Sequence, residues 1–117
     1  MGHVWIDVEI FNLDKTKSKK VKGLVDTDAT LTTLPESLAK EIGIEPTGED
    51  EIQTGAGKLK IKKGRAIVKI KDKEEIQVVW ISDVIDKVLI GSVTLETLGL
   101  KVDPITGKIE ERPLMLY

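Results

Sequence analysis

Apolar and polar residues alternate one by one at the start of the chain. The apolar positions of this first run are Val4, Ile6, Val8 and Ile10. A period of two predicts a half-buried β-strand. A polar turn over residues 12–20 leads to a second apolar run over residues 21–26, so a β-hairpin is the simplest connection between the two runs.

The same patterns predict further strands along the chain. They cover residues 30–34, 52–61 as a hairpin, 66–71, 76–82 and 88–91. The run Val88 to Gly91 is continuously apolar, which is typical of a strand covered on both faces. The chain after residue 99 again alternates apolar and polar residues and ends on an apolar run.

Two short helices are predicted between these strands. Pro35 occupies a first helical position, apolar residues then recur four apart, and Gly43 supplies the stop. Ser92 is the predicted N-cap of the second helix, and Gly99 follows its end. At least seven short strands with two helices predict a mainly β domain, a barrel or a folded-over sheet. The 117 residues fit a single domain, residues 1–117.

Composition narrows the classes of partner. Hydrophobic residues make up 40% of the chain and charged residues 32%, which supports a folded core. A net charge of −2 gives no reason to expect nucleic acid as a partner. The lysines cluster at residues 15–22 and 58–63, but they alternate with other residues as on the solvated face of a strand. No apolar run is long enough to span a membrane, and the N-terminus lacks a signal pattern, so we expect a cytoplasmic protein without a membrane partner.

The absence of cysteine and the presence of one histidine, His3, limit the chemistry. Disulfides, thiolate catalysis, cysteine zinc sites and histidine-centred triads are excluded. We expect no metal and no cofactor. Any catalysis must rest on carboxylates, hydroxyls or lysines.

Asp26 is the candidate chemical centre. The apolar residues Leu24 and Val25 run directly into it, and Thr27 follows. Desolvating an unpaired carboxylate costs several kcal/mol, so an Asp in this setting needs hydrogen bonds or a functional reason. The simpler interpretation is an Asp at a strand end that accepts hydrogen bonds from turn amides.

Three motifs now stand in order along the chain. They are LVDTDAT over residues 24–30, a glycine-containing hairpin of Thr54, Gly55, Ala56 and Gly57, and Leu89-Ile90-Gly91 before a helix. In this order and spacing they resemble the retropepsin-like aspartic proteases, the single-domain relatives of pepsin. The resemblance covers residues 4–102.

The resemblance implies an aspartic endopeptidase that works as a homodimer, with Asp26 of each subunit facing its twin across a two-fold axis. It implies that Thr27 bonds across the axis, that residues 54–57 form a flap tip over an extended peptide, and that residues 89–91 pack behind the catalytic loop. Part of the C-terminal tail would help form a sheet between the subunits. Two adjacent carboxylates share one proton, so one acts as a base on water and the other polarises the scissile carbonyl.

Asp28 departs from the family pattern. The active-site loop reads Thr27-Asp28-Ala29, where the family has glycine at the middle position. If the Asp28 side chain points into the cleft, a dimer would crowd four carboxylates near one axis and reduce access for a peptide, whereas an outward orientation would leave Asp26 usable. Asp28 also has a plain interpretation as a turn former.

Two functions are therefore open. We favour the aspartic peptidase, a hydrolase of peptide or unfolded-protein substrates. The alternative is a catalytically impaired dimer of the same fold that binds peptide or mediates association. Gly55 and Gly57 are also consistent with an ordinary hairpin turn, although we favour the flap. Trp5 and Trp80 are interpreted as core or interface packing.

Overall fold

The computed structural model describes residues 3–116, so positions 1, 2 and 117 of the predicted domain lie outside the described residues. Within residues 3–116 there are nine strands and two short helices. In chain order these are β1 (Trp5–Phe11), β2 (Ser18–Val25), β3 (Thr33–Pro35), α1 (Glu36–Glu41), β4 (Gly48–Thr54), β5 (Gly57–Ile70), β6 (Lys73–Ser82), β7 (Val88–Ile90), α2 (Ser92–Thr97), β8 (Leu100–Val102) and β9 (Ile109–Glu111).

Six of the strands close into a barrel. Their order is β1-β2-β7-β3-β6-β5, and β1 pairs with β5 to complete the circle. Strand β4 continues the sheet beyond β5, and β8 and β9 form a separate two-stranded sheet. The predicted mainly β barrel with two short helices is confirmed.

The first hairpin shows how the alternating pattern fixes the barrel interior. In the antiparallel register of β1 and β2, Ile6 lies opposite Gly23 and Val8 lies opposite Val21. Ile6, Val8 and Ile10 are at most 4% exposed because every second side chain of a strand points to the same face. Gly23 leaves room for the core: a Cβ there would lie 2.8 Å from Ile90 Cγ1.

The interior of the barrel is a single apolar core. It contains side chains from β1, β3, β5, β6 and β7 and from both helices. Fully buried members include Ile10, Leu34, Ile42, Ile70, Ile90 and Leu100. Burial of apolar area at about 25 cal/mol per Å² is the main contribution that holds such strands and short helices together.

Some predicted boundaries were wrong. Residues 57–70 form one continuous strand, whereas the sequence predicted a hairpin arm followed by a separate strand. Gly64 lies in the middle of this strand, and a Cβ there would lie only 2.9 Å from the carbonyl oxygen of Glu45. The glycine therefore allows a close approach and does not end the strand. The turn before β6 is also tighter than predicted, because Lys71 adopts a φ of 58°.

The segments next to the helices also differ from the prediction. The strand predicted over residues 30–34 is restricted to Thr33–Pro35, because the preceding residues form a loop. Pro35 is the N-cap of α1, with φ −58° and ψ 140°, and is not its first helical residue. The N-cap of α2 is Gly91, so Ser92 lies one position further along, inside the helix.

Candidate functional site

Asp26 lies immediately after β2 and is held by three hydrogen bonds. Its backbone N–H donates to the Ile90 carbonyl at 3.0 Å, and its own carbonyl accepts the Ala29 N–H at 3.0 Å. Its side-chain Oδ1 accepts the Asp28 N–H at 3.1 Å. Within residues 3–116, no hydrogen bond is made to the other carboxylate oxygen. Turn formation thus accounts for one oxygen of Asp26 and leaves the second available.

The loop after Asp26 rests on the start of α2. The backbone N–H of Ser92 donates to the Ala29 carbonyl at 2.9 Å, and that of Val93 donates to the Thr30 carbonyl at 3.1 Å. A Cβ on Gly91 would lie 2.5 Å from the carbonyl carbon of Leu31, so only glycine fits there. The close approach is a packing requirement, since the φ of Gly91 is an ordinary −83°.

Strand β7 lies beside the strand that carries Asp26. Leu24 pairs with Leu89 and Val25 pairs with Ile90 in parallel register. Together with Gly91, these residues lie directly behind the loop. The structure thus brings together the two sequence motifs at residues 24–30 and 89–91.

The loop residues themselves differ in exposure. Asp26 and Ala29 are partly exposed, and Thr27 and Asp28 are exposed. Thr27 makes no side-chain hydrogen bond within residues 3–116, so its bond across a dimer axis stays a prediction.

The hairpin of β4 and β5 has the predicted tip. Thr54 pairs with Gly57 at its end. The hydroxyl of Thr54 donates to the Gly57 carbonyl at 2.8 Å and accepts the Ala56 N–H at 3.1 Å. Gly57 has a φ of 116°, which L side chains rarely adopt. A Cβ at Gly55 would meet no atom of the described chain within 4 Å, so this end of the hairpin projects freely.

A cleft of about 790 Å³ lies between the Asp26 loop and this hairpin. Its lining includes three carboxylates and a largely apolar wall. The carboxylates belong to Asp26, Asp28 and Glu51, and the wall includes Ile52, Leu59, Ile61, Trp80, Val84, Ile85 and Leu89. Thr54 and Gly55 of the hairpin also line the cleft. The predicted candidate centre and the predicted hairpin tip therefore share one cavity.

Sequence reasoning missed most of the apolar wall. Trp80 was interpreted as packing, yet it is only partly buried and lines the cleft. Trp5 is 47% exposed, so it does not belong to the core, and its role at an interface stays a prediction. The alternation in β6 placed Trp80 on the same face as Ile76 and Val78, which are also exposed. Three apolar residues on one face of a strand predict burial, so no local pattern indicated that this face lies outside the barrel.

Asp50 joins the hairpin to the cleft wall. Its Oδ1 accepts a hydrogen bond from Lys63 Nζ at 2.7 Å, and its Oδ2 accepts one from Trp80 Nε1 at 2.9 Å. The hydrogen bond from Lys63, followed by that from Trp80, lowers the pKa of the Asp50 carboxyl below its ordinary value. Asp50 was not identified from the sequence, because its partners are 13 and 30 residues away.

Comparison with known families gives a match over most of the chain. A sequence model described as aspartyl protease matches residues 6–92. No curated protein matches the chain in sequence.

Several solved structures share the fold. The EIAV protease complexed with the inhibitor HBY-793 is 18% identical, with a TM-score of 0.66, and the alignment covers 87% of this chain and 93% of that chain. A retropepsin-like aspartic protease from Rickettsia conorii is 24% identical, with a TM-score of 0.60 and coverage of 87% and 77%. The Simian Foamy Virus (mac) protease is 21% identical, with a TM-score of 0.56 and coverage of 78% and 90%.

The length and composition of the two helices bear on whether they could cross a membrane. Neither helix within residues 3–116 has the length and apolar character needed to cross a bilayer.

Proposed function

The chain belongs to the retropepsin-like aspartyl protease family, and from this we propose that it is an aspartic endopeptidase whose active site is completed by a second copy of the chain. The observation that carries the proposal is the position of Asp26. It lies in the cleft below the hairpin tip, on a loop fixed by backbone hydrogen bonds to β7 and α2.

The need for a second copy follows from the chemistry. Hydrolysis by this route uses two carboxylates that share one proton. The chain carries one Asp-Thr-x-Ala motif, at residues 26–29. Asp28 is a poor second member within one chain, because it meets Asp26 Oδ1 through its backbone N–H and, within residues 3–116, no hydrogen bond joins the two carboxylates. An isologous homodimer supplies the same Asp26 twice and places both on one axis.

The proposed reaction uses each Asp26 differently. The ionised carboxylate removes a proton from a water molecule as the water oxygen bonds to the peptide carbonyl carbon. The protonated carboxyl donates a hydrogen bond to the carbonyl oxygen, on which negative charge develops. The C–N bond then breaks, and a proton passes to the leaving nitrogen.

The shape of the cleft supports an extended peptide as substrate. The cleft lies between the loop of Asp26 and the β4–β5 hairpin, whose tip residues Thr54 to Gly57 act as the flap in this proposal. A strand-like peptide offers backbone groups to both sides and directs alternate side chains toward the walls. The apolar residues of the wall give those side chains a surface to bury.

The catalytically impaired dimer is not favoured by this arrangement. Asp28 lines the same cleft, but the turn it forms leaves one oxygen of Asp26 without a hydrogen bond within residues 3–116. The impaired dimer nevertheless defines the negative outcome of the experiment.

The test is cleavage of an unfolded, fluorescently labelled polypeptide from acidic to neutral pH. Asp26→Asn keeps an oxygen for the Asp28 N–H, so it should fold normally and lose cleavage. The matched control is Asp103→Asn, since Asp103 Oδ1 accepts the Ile105 N–H at 2.8 Å in a similar turn outside the cleft. Undiminished cleavage by Asp26→Asn, or none by the parent at any pH, overturns the proposal.

The dimer is tested by mixing subunits. Parent and Asp26→Asn chains, exchanged at equal amounts, should form mixed dimers that are inactive, so activity falls below the sum of the separate samples. Sedimentation velocity should show a dimer that dissociates on dilution together with activity. A monomer that cleaves with the same specific activity at every concentration contradicts the dimeric site.

A further inference from the structure

A series of buried polar groups runs from Gly91, next to the loop that carries Asp26, to Gln77 on β6, the strand that pairs with β3. The backbone N–H of Gly91 donates to Thr32 Oγ1 at 3.1 Å, and Thr32 Oγ1 lies 2.6 Å from Thr94 Oγ1. Thr94 Oγ1 donates to Gln77 Oε1 at 2.5 Å. Thr32, Thr94 and Gln77 are 0%, 1% and 8% exposed. We call these four residues the Gln77 network.

The direction of every hydrogen bond in the Gln77 network is fixed. Each threonine hydroxyl has a single hydrogen to donate. Since Thr94 donates its hydrogen to Gln77, Thr32 must be the donor in the bond between the two hydroxyls. Each donor therefore points the same way, from Gly91 through Thr32 and Thr94 to the amide oxygen of Gln77. Hydrogen bonds arranged in such a series polarise one another.

The Gln77 side chain accepts the last hydrogen bond of the network through its oxygen but leaves its own N–H group without a partner among residues 3–116. Its Nε2 is buried and has no hydrogen-bond partner among residues 3–116. An unsatisfied buried donor destabilises the folded state, because it has lost its hydrogen bonds to water. Apolar residues of similar size in place of both Gln77 and its partner Thr94 avoid that cost, so stability alone does not account for this pair.

The Gln77 network acts on the loop that carries Asp26. Gly91 and the next two residues of α2 hold that loop through backbone contacts, and Thr32 ends the loop, with its carbonyl accepting the Trp80 N–H at 3.0 Å. The hydroxyls of Thr32 and Thr94 thus join the end of the loop to α2. The amide of Gln77, through Thr94, joins the loop end and α2 to the wall of the barrel.

We propose that Gln77 is a positioning residue for Asp26, acting through the hydroxyls of Thr94 and Thr32. It fixes the first turn of α2 against the barrel wall, and that turn fixes the loop from Asp26 to Thr32. The effect on catalysis rests on the function proposed above. A carboxylate must be held closely to its working geometry, because small displacements of a catalytic group reduce the rate strongly.

Two variants break the Gln77 network with little change in volume. Gln77→Met removes the acceptor together with the unsatisfied Nε2, and Thr94→Val removes the hydroxyl. Thr94→Ser is the matched control, since it keeps the hydroxyl. We expect Gln77→Met and Thr94→Val to lower kcat by roughly tenfold while KM changes by less than about twofold, the split expected for a lost transition-state interaction. Thr94→Ser should stay within about twofold of the parent.

Amide hydrogen exchange gives a readout that does not depend on cleavage. The Gly91 N–H donates into the network, and the Asp28 N–H reports on the Asp26 carboxylate. Both should exchange faster in Gln77→Met and in Thr94→Val, and neither should change in Thr94→Ser. The Gly99 N–H, which bonds the Glu96 carbonyl at the far end of α2, is the internal control.

The outcomes separate this inference from the proposed function. Unchanged exchange at Asp28 in both breaking variants overturns the positioning role, whether or not the parent cleaves peptides. Faster exchange with unchanged kcat overturns its importance for catalysis and leaves the proposed function intact. If the parent cleaves nothing and exchange is still faster in the two breaking variants, the positioning role is supported and only the proposed function is overturned.

Discussion

The indole N–H of Trp80 donates to Oδ2 of Asp50 at 2.9 Å, so the wall of the cleft and the hairpin above it share one carboxylate. Asp50 also accepts a hydrogen bond from Lys63 at 2.7 Å. The three residues lie on β6, β4 and β5, three neighbouring strands of the sheet. The position of the hairpin over the cleft therefore depends on a charged group.

The first prediction is that Asp50 makes the stability of the protein depend on acidic pH. Its pKa is lowered in the folded chain, so the ionised carboxylate contributes stability above the ordinary aspartate pKa of about 3.9. This contribution is lost as the pH falls through the lowered folded-state pKa. Asp50→Asn should have a lower Tm than the parent at neutral pH, and the difference in Tm should shrink as the pH falls below about 4 and vanish below the lowered folded-state pKa of Asp50.

Asp86→Asn is the control for Asp50. The pKa of Asp86 is also lowered, mainly by its hydrogen bond with the adjacent Lys87, but within residues 3–116 its carboxylate bonds no residue of the hairpin. Its substitution should leave cleavage unchanged, whereas Asp50→Asn should raise KM. Equal Tm differences between Asp50→Asn and the parent at neutral and acidic pH would contradict the assigned charge effect.

The second prediction contrasts two glycines of the site. Gly91→Ala places a Cβ 2.5–2.8 Å from backbone atoms of Leu31 and Thr30, and backbone atoms do not move away easily. Overpacking of this kind typically costs about 1–3 kcal/mol. Gly55→Ala meets no atom of the described residues within 4 Å and should change the free energy of unfolding by less than about 0.5 kcal/mol.

Urea unfolding at matched concentrations measures both variants. The midpoint should fall clearly for Gly91→Ala and stay near the parent for Gly55→Ala. A Gly91→Ala protein as stable as the parent shows that the loop behind Asp26 is not tightly packed.

The third prediction concerns the hairpin tip. Thr54→Val removes the hydroxyl that bonds both Ala56 and Gly57 and keeps the shape of the side chain. The tip should become less ordered, so KM for a peptide should rise several-fold with a smaller change in kcat. Thr47→Val is the control, because its hydroxyl makes a long 3.4 Å bond to the Lys63 carbonyl, outside the cleft. Equal KM values for the two variants argue against a flap role for the tip.

The fourth prediction concerns Asp28. Its side chain adds volume and a negative charge to the cleft, and its backbone bond to Asp26 does not require a side chain. Asp28→Gly should therefore raise kcat/KM for an unfolded polypeptide by up to about tenfold, or 1.4 kcal/mol. Asp28→Asn separates the two causes, since it removes the charge and keeps the volume. A fall in kcat/KM for both variants assigns Asp28 a productive contact with substrate.

The strands of the first hairpin and the location of Asp26 at the end of β2 were predictable because they depend on local rules. Alternation identified the strands of the first hairpin, and apolar runs that end in Asp26 and Gly91 marked the two motifs of the site. Thr54 and Gly57 identified the hairpin tip, because glycine and threonine are common residues in tight turns. These features rest on neighbouring residues, so they can be read from the chain itself.

Tertiary structure alone decided how distant residues meet. Gly64 lies within a strand, paired with Val79 of β6, and the residue is a glycine because the Glu45 carbonyl leaves no room for a Cβ. Trp80 became part of the cleft because barrel closure placed its face outside and Asp50 bonded its indole. The Gln77 network joins residues 17 to 62 positions apart. Such contacts depend on the relative placement of whole strands and helices, which no local pattern of side chains encodes.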